Sequence, residues 1–115
     1  MFDVEYYDKK DGSVPAEEFI LSLNEKKQAK VFHELELLEY FGNELREPHS
    51  KPLGDGIFEL RIKFASDITR VLYFFYVGKK IILTNGFVKK TQKTPPEQIA
   101  IAKKYRSDYL DRHKE

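Results

Sequence analysis

Apolar and acidic positions alternate at the start of this chain. Phe2, Val4 and Tyr6 oppose Asp3 and Glu5, which predicts a short strand over 2–7. Lys9-Lys10-Asp11-Gly12 is a turn. Ser13 then stands where it would N-cap a first helix from about Val14 to Leu23. Pro15 is tolerated in the first turn of that helix, and Glu17 and Glu18 suit the positive end of its dipole. Asn24 caps a second helix of about Glu25 to Phe41. Phe32, Leu35 and Leu38 recur there at helical spacing, and Val31, Leu37 and Phe41 widen the stripe. Gly42-Asn43 supplies the stop, so the two helices form an αα-hairpin.

Residues 44–56, rich in Pro and Gly, read as a loop inside one domain that spans 1–115. Three strands follow, about 57–64, 68–77 and 80–88, the last two joined by a two-residue turn at Gly78-Lys79. Thr94-Pro95-Pro96-Glu97 announces the final helix. Thr94 is assigned to N-capping, Pro95 to the first helical position and Glu97 to a capping box. That helix runs to about Arg112 and buries Ile99, Ala102, Tyr105 and Tyr109. The expected fold is α+β, in the order β-α-α-β-β-β-α. A small antiparallel sheet carries the helical hairpin on one face and a C-terminal helix besides.

Strand alternation sorts the side chains. Phe58, Leu60, Ile62, Val71, Tyr73, Phe75 and Val88 share one face, toward the helical hairpin. Glu59, Arg61, Arg70, Asn85, Phe87 and Lys89 share the other. The Gly78-Lys79 turn sets Arg70 opposite Phe87, and a turn at Ala65-Ser66 sets Arg61 opposite Arg70. Two arginines side by side repel, so they need a carboxylate or an anionic ligand between them. Glu59 is the carboxylate at hand.

Charge sharpens that reading. The net charge is +1, but residues 1–50 hold six basic and twelve acidic residues, whereas residues 51–115 hold fourteen basic and seven acidic. An acidic half thus precedes a basic half, which points to an anionic partner for the second. The chain has no cysteine, which excludes disulfides, zinc–thiolate sites and a Cys nucleophile and fits a reducing cytosol. The first residues carry no signal-peptide pattern, and no apolar run is long enough to span a membrane. His33, His49 and His113 lack metal-ligand spacing, the serines lack a nucleophile elbow, and no Gly-rich phosphate loop is present.

Several segments together resemble a known family. They are Glu59-Leu60-Arg61, Arg70-Val71-Leu72-Tyr73-Phe74, the run from Asn85 to Pro95 (NGFVKKTQKTP), and a following helix with Ala100, Ala102 and Tyr109. This pattern resembles the phage-derived HigB-like branch of the RelE/ParE toxin superfamily. Asn85 departs from it, standing where His or Arg often precedes Gly-Phe. The resemblance implies a RelE-like fold and the toxin of a type II toxin–antitoxin pair. It further implies a cytoplasmic, metal-independent and cofactor-free endoribonuclease that cuts mRNA on the ribosome, and a cognate helix-turn-helix antitoxin (HigA-like) as partner.

The chemistry so implied is attack of a ribose 2′-hydroxyl on the adjacent phosphate. It needs a base, charge stabilisation and help for the leaving oxygen. On this reading Arg61 and Arg70 clamp the phosphate, since a guanidinium fork matches phosphate oxygens. Lys89 is a second cation and general acid. Glu59 is either the general base or a salt-bridge partner of Arg61. Lys90 and Lys93 grip the RNA backbone, and Phe87 either stacks on a base or packs in the core. Two rivals remain: a ParE-like gyrase inhibitor on the same fold, and a non-enzymatic RNA-binding module.

Overall fold

The structure, a computed structural model, describes residues 1–89 and 92–114. The described residues form a small α+β fold with a five-stranded mixed sheet and three α-helices. In chain order these are β1 (Asp3–Tyr6), α1 (Pro15–Leu21), α2 (Glu25–Phe41), β2 (Ser50–Gly54), β3 (Ile57–Phe64), β4 (Asp67–Tyr76), β5 (Lys80–Lys89) and α3 (Pro96–Arg112). One 3-10 turn, Gly42–Glu44, follows α2. The strand order is β1-β5-β4-β3-β2.

Two features correct the expected sheet. First, it is mixed rather than antiparallel, because β1 pairs with β5 in parallel, from Asp3 opposite Lys80 to Tyr6 opposite Leu83. Second, the 44–56 segment contains β2, an edge strand antiparallel to β3 with Ser50 opposite Leu60. Its sequence, SKPLG, hides it. Pro52 cannot donate to a ladder and is tolerated only because the strand lies at the edge, and the register shifts between Pro52 and Gly54.

Helix α2 keeps its predicted bounds and its cap: the Lys27 amide donates to Asn24 Oδ1 at 2.9 Å. The other two caps differ. Ser13 does not cap α1; its amide and hydroxyl both donate to Asp11 Oδ1, while Glu18 reaches back to accept from the Val14 amide at 2.7 Å. Thr94 does not cap α3 either. Pro95 occupies that position, and the Thr94 hydroxyl goes to Glu59 instead.

The core has two layers, one on each side of the sheet. On one side Ala16 and Ile20 of α1 and Val31, Leu35 and Leu38 of α2 pack on Leu60, Ile62, Val71, Tyr73, Ile81 and Leu83. Phe32 and Phe41 lie outside that layer, exposed on α2, so the buried stripe is narrower than predicted. On the other side Ala102 and Tyr109 of α3 pack with Ile57, Leu72, Phe74, Ile82 and Phe87, while Ile99 and Tyr105 are half-buried. Gly86 lets α1 approach β5: a Cβ there would lie 2.3 Å from the Phe19 ring and 3.0 Å from the Arg70 carbonyl oxygen.

Candidate anion site on the sheet

The site grows from one rung of the sheet. Arg61 lies opposite Arg70, and Arg70 lies opposite Phe87. The three side chains therefore stand in a row on the α3 side. The next rung adds Lys63, Ile68 and Lys89. Strand β2 ends its pairing at Leu60, so the edge of β3 beyond that point has no neighbouring strand in this sheet.

Glu59 binds the two arginines. It is fully buried, with Oε2 3.3 Å from Arg61 Nε and Oε1 3.5 Å from Arg70 Nε. The Thr94 hydroxyl donates to Oε1. Arg70 is also fully buried and donates from Nη2 to the Gln92 carbonyl oxygen at 2.7 Å, with its guanidinium 5.7 Å from the Phe87 ring centroid. Arg61 is less enclosed, its side chain 15% exposed, and donates from Nη2 to Gln92 Oε1 at 2.7 Å. Gln92 thus holds both arginines, one through its backbone and one through its side chain. Burial pulls the Arg70 guanidinium below the usual arginine range; Glu59 opposes that shift and Arg61 adds to it.

The sequence-derived site residues separate into groups. Glu59, Arg61, Arg70 and Phe87 come together, and Phe87 is buried in the α3-side core. Lys89 is exposed at the end of β5, one rung away. Lys93 lines a second cleft with Lys51 and Gln92. Lys90 lies outside the described residues. Asn85 is buried and ties β5 to α3, donating from Nδ2 to Gln98 Oε1 at 3.0 Å.

A cleft of about 510 Å³ opens between α2 and the uncovered edge of β3. Arg61 lines it with Lys30, Lys63 and Gln92. Its wall also holds two histidines and one acid, His33, His49 and Glu34. Three permanent cations against one carboxylate favour an anionic occupant. His49 is the residue that sequence reasoning missed. Read as part of a loop, it has no fixed place; it in fact immediately precedes β2, and its carbonyl accepts from the Arg61 amide at 2.8 Å. The recoverable signal was the pairing of its segment with the Glu59–Arg61 strand. Among the described residues no group of His, Asp and Glu side chains could hold a metal ion, and no helix is long and apolar enough to cross a membrane.

Comparison with known families gives a match over most of the chain. The model for "Phage derived protein Gp49-like (DUF891)" covers residues 18–107, from α1 through most of α3. No curated protein matches the chain.

Proposed function

The chain belongs to the phage derived Gp49-like family, a toxin-like family of RelE/HigB type, and we propose that it is the toxin of a type II toxin–antitoxin pair, acting as a ribosome-dependent mRNA endoribonuclease. On this reading the fold is RelE-like, the chain falls in the HigB branch, and a helix-turn-helix antitoxin neutralises it. The observation that carries the proposal is the cationic row on β3, β4 and β5 opening at Arg61 into a cleft of nucleotide size. Such clefts hold small ligands at roughly 300–1,000 Å³.

The geometry divides the roles. Arg61 reaches the cleft and has its fork set by Glu59 and Gln92, so it is the guanidinium that meets the scissile phosphate. Arg70 is sealed beneath it. It acts as a positioning residue that fixes Glu59 and Gln92, and through them Arg61. Glu59 is ill-placed to act as a base, since it is fully buried, does not line the cleft, and has both carboxylate oxygens beside guanidinium groups, with the Thr94 hydroxyl on one of them. We assign it the counter-charge role instead. Lys89 supplies the proton for the departing 5′-oxygen, and Lys63 adds to the field that draws RNA in.

The test is brief induced expression of wild type and Arg61→Ala, with primer extension on a translated reporter mRNA. Codon-phased cuts in wild type that vanish in the variant are expected. Growth arrest without cuts would reject the nuclease reading in favour of gyrase inhibition. Salt-sensitive RNA binding with neither cuts nor arrest would leave only an RNA-binding module.

A further inference from the structure

The cleft contains a histidine–carboxylate pair that the arginine row does not use. His49 Nδ1 lies 2.9 Å from Glu34 Oε2 and 3.2 Å from Oε1. A carboxylate accepts, so this contact favours the tautomer with the proton on Nδ1, which in the neutral ring leaves the Nε2 lone pair free. The two residues come from different elements, Glu34 from α2 and His49 from the turn before β2, and both line the cleft. Glu34 is the less exposed of the pair, at 15% against 40% for the imidazole. The carboxylate is thus the more enclosed partner and the ring the more open one, an arrangement suited to orienting a base. Arg61 is tied to the same point by its amide bond to the His49 carbonyl.

We infer that His49, oriented by Glu34, is the general base of this site, acting on a ribose 2′-hydroxyl whose neighbouring phosphate sits on Arg61. The inference rests on the nuclease reading above and supplies the base that Glu59 is ill-placed to be. In the step, the 2′-oxygen forms a bond to phosphorus and the bond from phosphorus to the 5′-oxygen breaks. The 2′-proton goes to His49 Nε2, and the departing 5′-oxygen takes a proton from Lys89. The products are a 2′,3′-cyclic phosphate and a free 5′-hydroxyl. No oxidant, metal or protein-bound intermediate enters the balance. Glu34 touches no reacting atom and is a positioning residue.

The charged and titratable groups facing His49 are Lys30, His33 and Glu34 from α2 and Arg61 and Lys63 from β3. His33 is the second imidazole of the cleft. This sets the experiment: single-turnover cleavage of a ribosome-bound mRNA by purified toxin between pH 5.5 and 8, with His49→Gln, His33→Gln, Glu34→Gln and Glu34→Asp alongside wild type. Wild type is expected to speed up with pH across the imidazole range. His49→Gln is expected to lose about 100-fold in rate, and the pH-dependent limb with it. Glu34→Gln is expected to slow cleavage by about 10-fold or more, and Glu34→Asp, which keeps a carboxylate to accept from Nδ1, to recover most of that loss. A merely structural role for Glu34 would instead favour the isosteric glutamine over the shorter aspartate.

The two readings fail in different ways. Cuts by wild type together with an unaltered rate and limb in His49→Gln would overturn this inference alone. Loss of the limb in His33→Gln rather than His49→Gln would also overturn it. Wild type that makes no cuts on ribosomes would overturn the nuclease reading and this inference together. Should His49→Gln fail to fold by thermal melting, the order of the Glu34→Gln and Glu34→Asp rates decides.

Discussion

Arg61 and Arg70 stand directly opposite one another on neighbouring antiparallel strands, and the carboxylate of Glu59 is shared between them. Cross-strand cations repel, and burial raises the cost of each. One buried carboxylate and the two bonds to Gln92 compensate for that cost. The same arrangement makes the protein's stability and its anion site depend on the same few atoms.

Glu59→Gln keeps the shape of the side chain and removes its charge. It leaves two guanidinium groups beside a neutral amide, one of them fully buried. Breaking a buried ion pair from one side typically costs about 3–5 kcal/mol. The expected outcome is a fall of that order in unfolding free energy by urea titration at pH 7. A change below about 1 kcal/mol, the scale of an exposed pair, would show that the carboxylate is not holding the arginines.

The two arginines are expected to differ under the same substitution. Lysine in place of Arg70 cannot serve both Glu59 and the Gln92 carbonyl, and it leaves a buried acceptor unpaired. Arg70→Lys is therefore expected to cost about 1–3 kcal/mol. Arg61→Lys, at the more open position, is expected to cost under about 1 kcal/mol in stability yet to lose most of the cleavage, since an ammonium lacks the fork. Urea melts and the reporter cleavage assay on the same preparations check both halves. Equal stability losses would contradict the division of roles.

Gly86→Ala tests how tightly α1 is seated on β5. The added methyl would meet the Phe19 ring at 2.3 Å, and the Arg70 carbonyl behind it is backbone that cannot swing aside. Overpacking of this kind costs about 1–3 kcal/mol. Urea midpoints are expected to drop accordingly, and a neutral result would mean that Phe19 turns away freely.

Much of the site was legible because strand alternation is a hard constraint. Arg61 opposite Arg70 followed from a two-residue turn at Ala65-Ser66, and the register agrees. Arg70 opposite Phe87 also agrees, but by a cancellation. The second hairpin pairs Tyr76 with Lys80, leaving three residues in the turn rather than two, and this shifts the register by one. A bulge at Thr84 then shifts it back, so that Leu72 meets Asn85 while Tyr73 meets Leu83. Bulges carry no reliable sequence mark, and Thr84 looks like any strand residue. Strand β2 was illegible for a different reason: Pro and Gly argue for a loop unless the partner edge is known. With it went the place of His49, whose imidazole depends on an acid fifteen positions earlier. The capping role assigned to Thr94 failed because a buried carboxylate took the hydroxyl, a tertiary demand that local helix rules do not include.

Tyr7 gives a pH signature of the fold that does not pass through the arginines. Its hydroxyl donates to Asp108 Oδ2 at 2.6 Å, its ring stacks on Tyr105 at 4.7 Å, and Arg112 donates to the same carboxylate oxygen at 2.9 Å. Burial first, and then the bond and charge of Asp108, push the Tyr7 hydroxyl up to about 12, against the pull of Arg112. A group whose folded value is raised contributes stability that is fully present below its unfolded value. For tyrosine that value is about 10, and the contribution is lost as pH climbs through the folded value. Tyr6, Tyr73 and Tyr109 are shifted upward as well, so the total alkaline loss is not Tyr7's alone. The difference between wild type and Tyr7→Phe isolates it. At pH 7 wild type is expected to be the more stable by about 1 kcal/mol, the net worth of one hydrogen bond. Between pH 10 and 12 that advantage is expected to shrink and then reverse, by up to about 2–3 kcal/mol in all, because phenylalanine does not ionise in the unfolded chain. Urea titrations of the two proteins at pH 7, 10 and 11.5 measure the difference directly. A constant gap across that range would mean that the Tyr7–Asp108 bond does not hold the phenol in its neutral form.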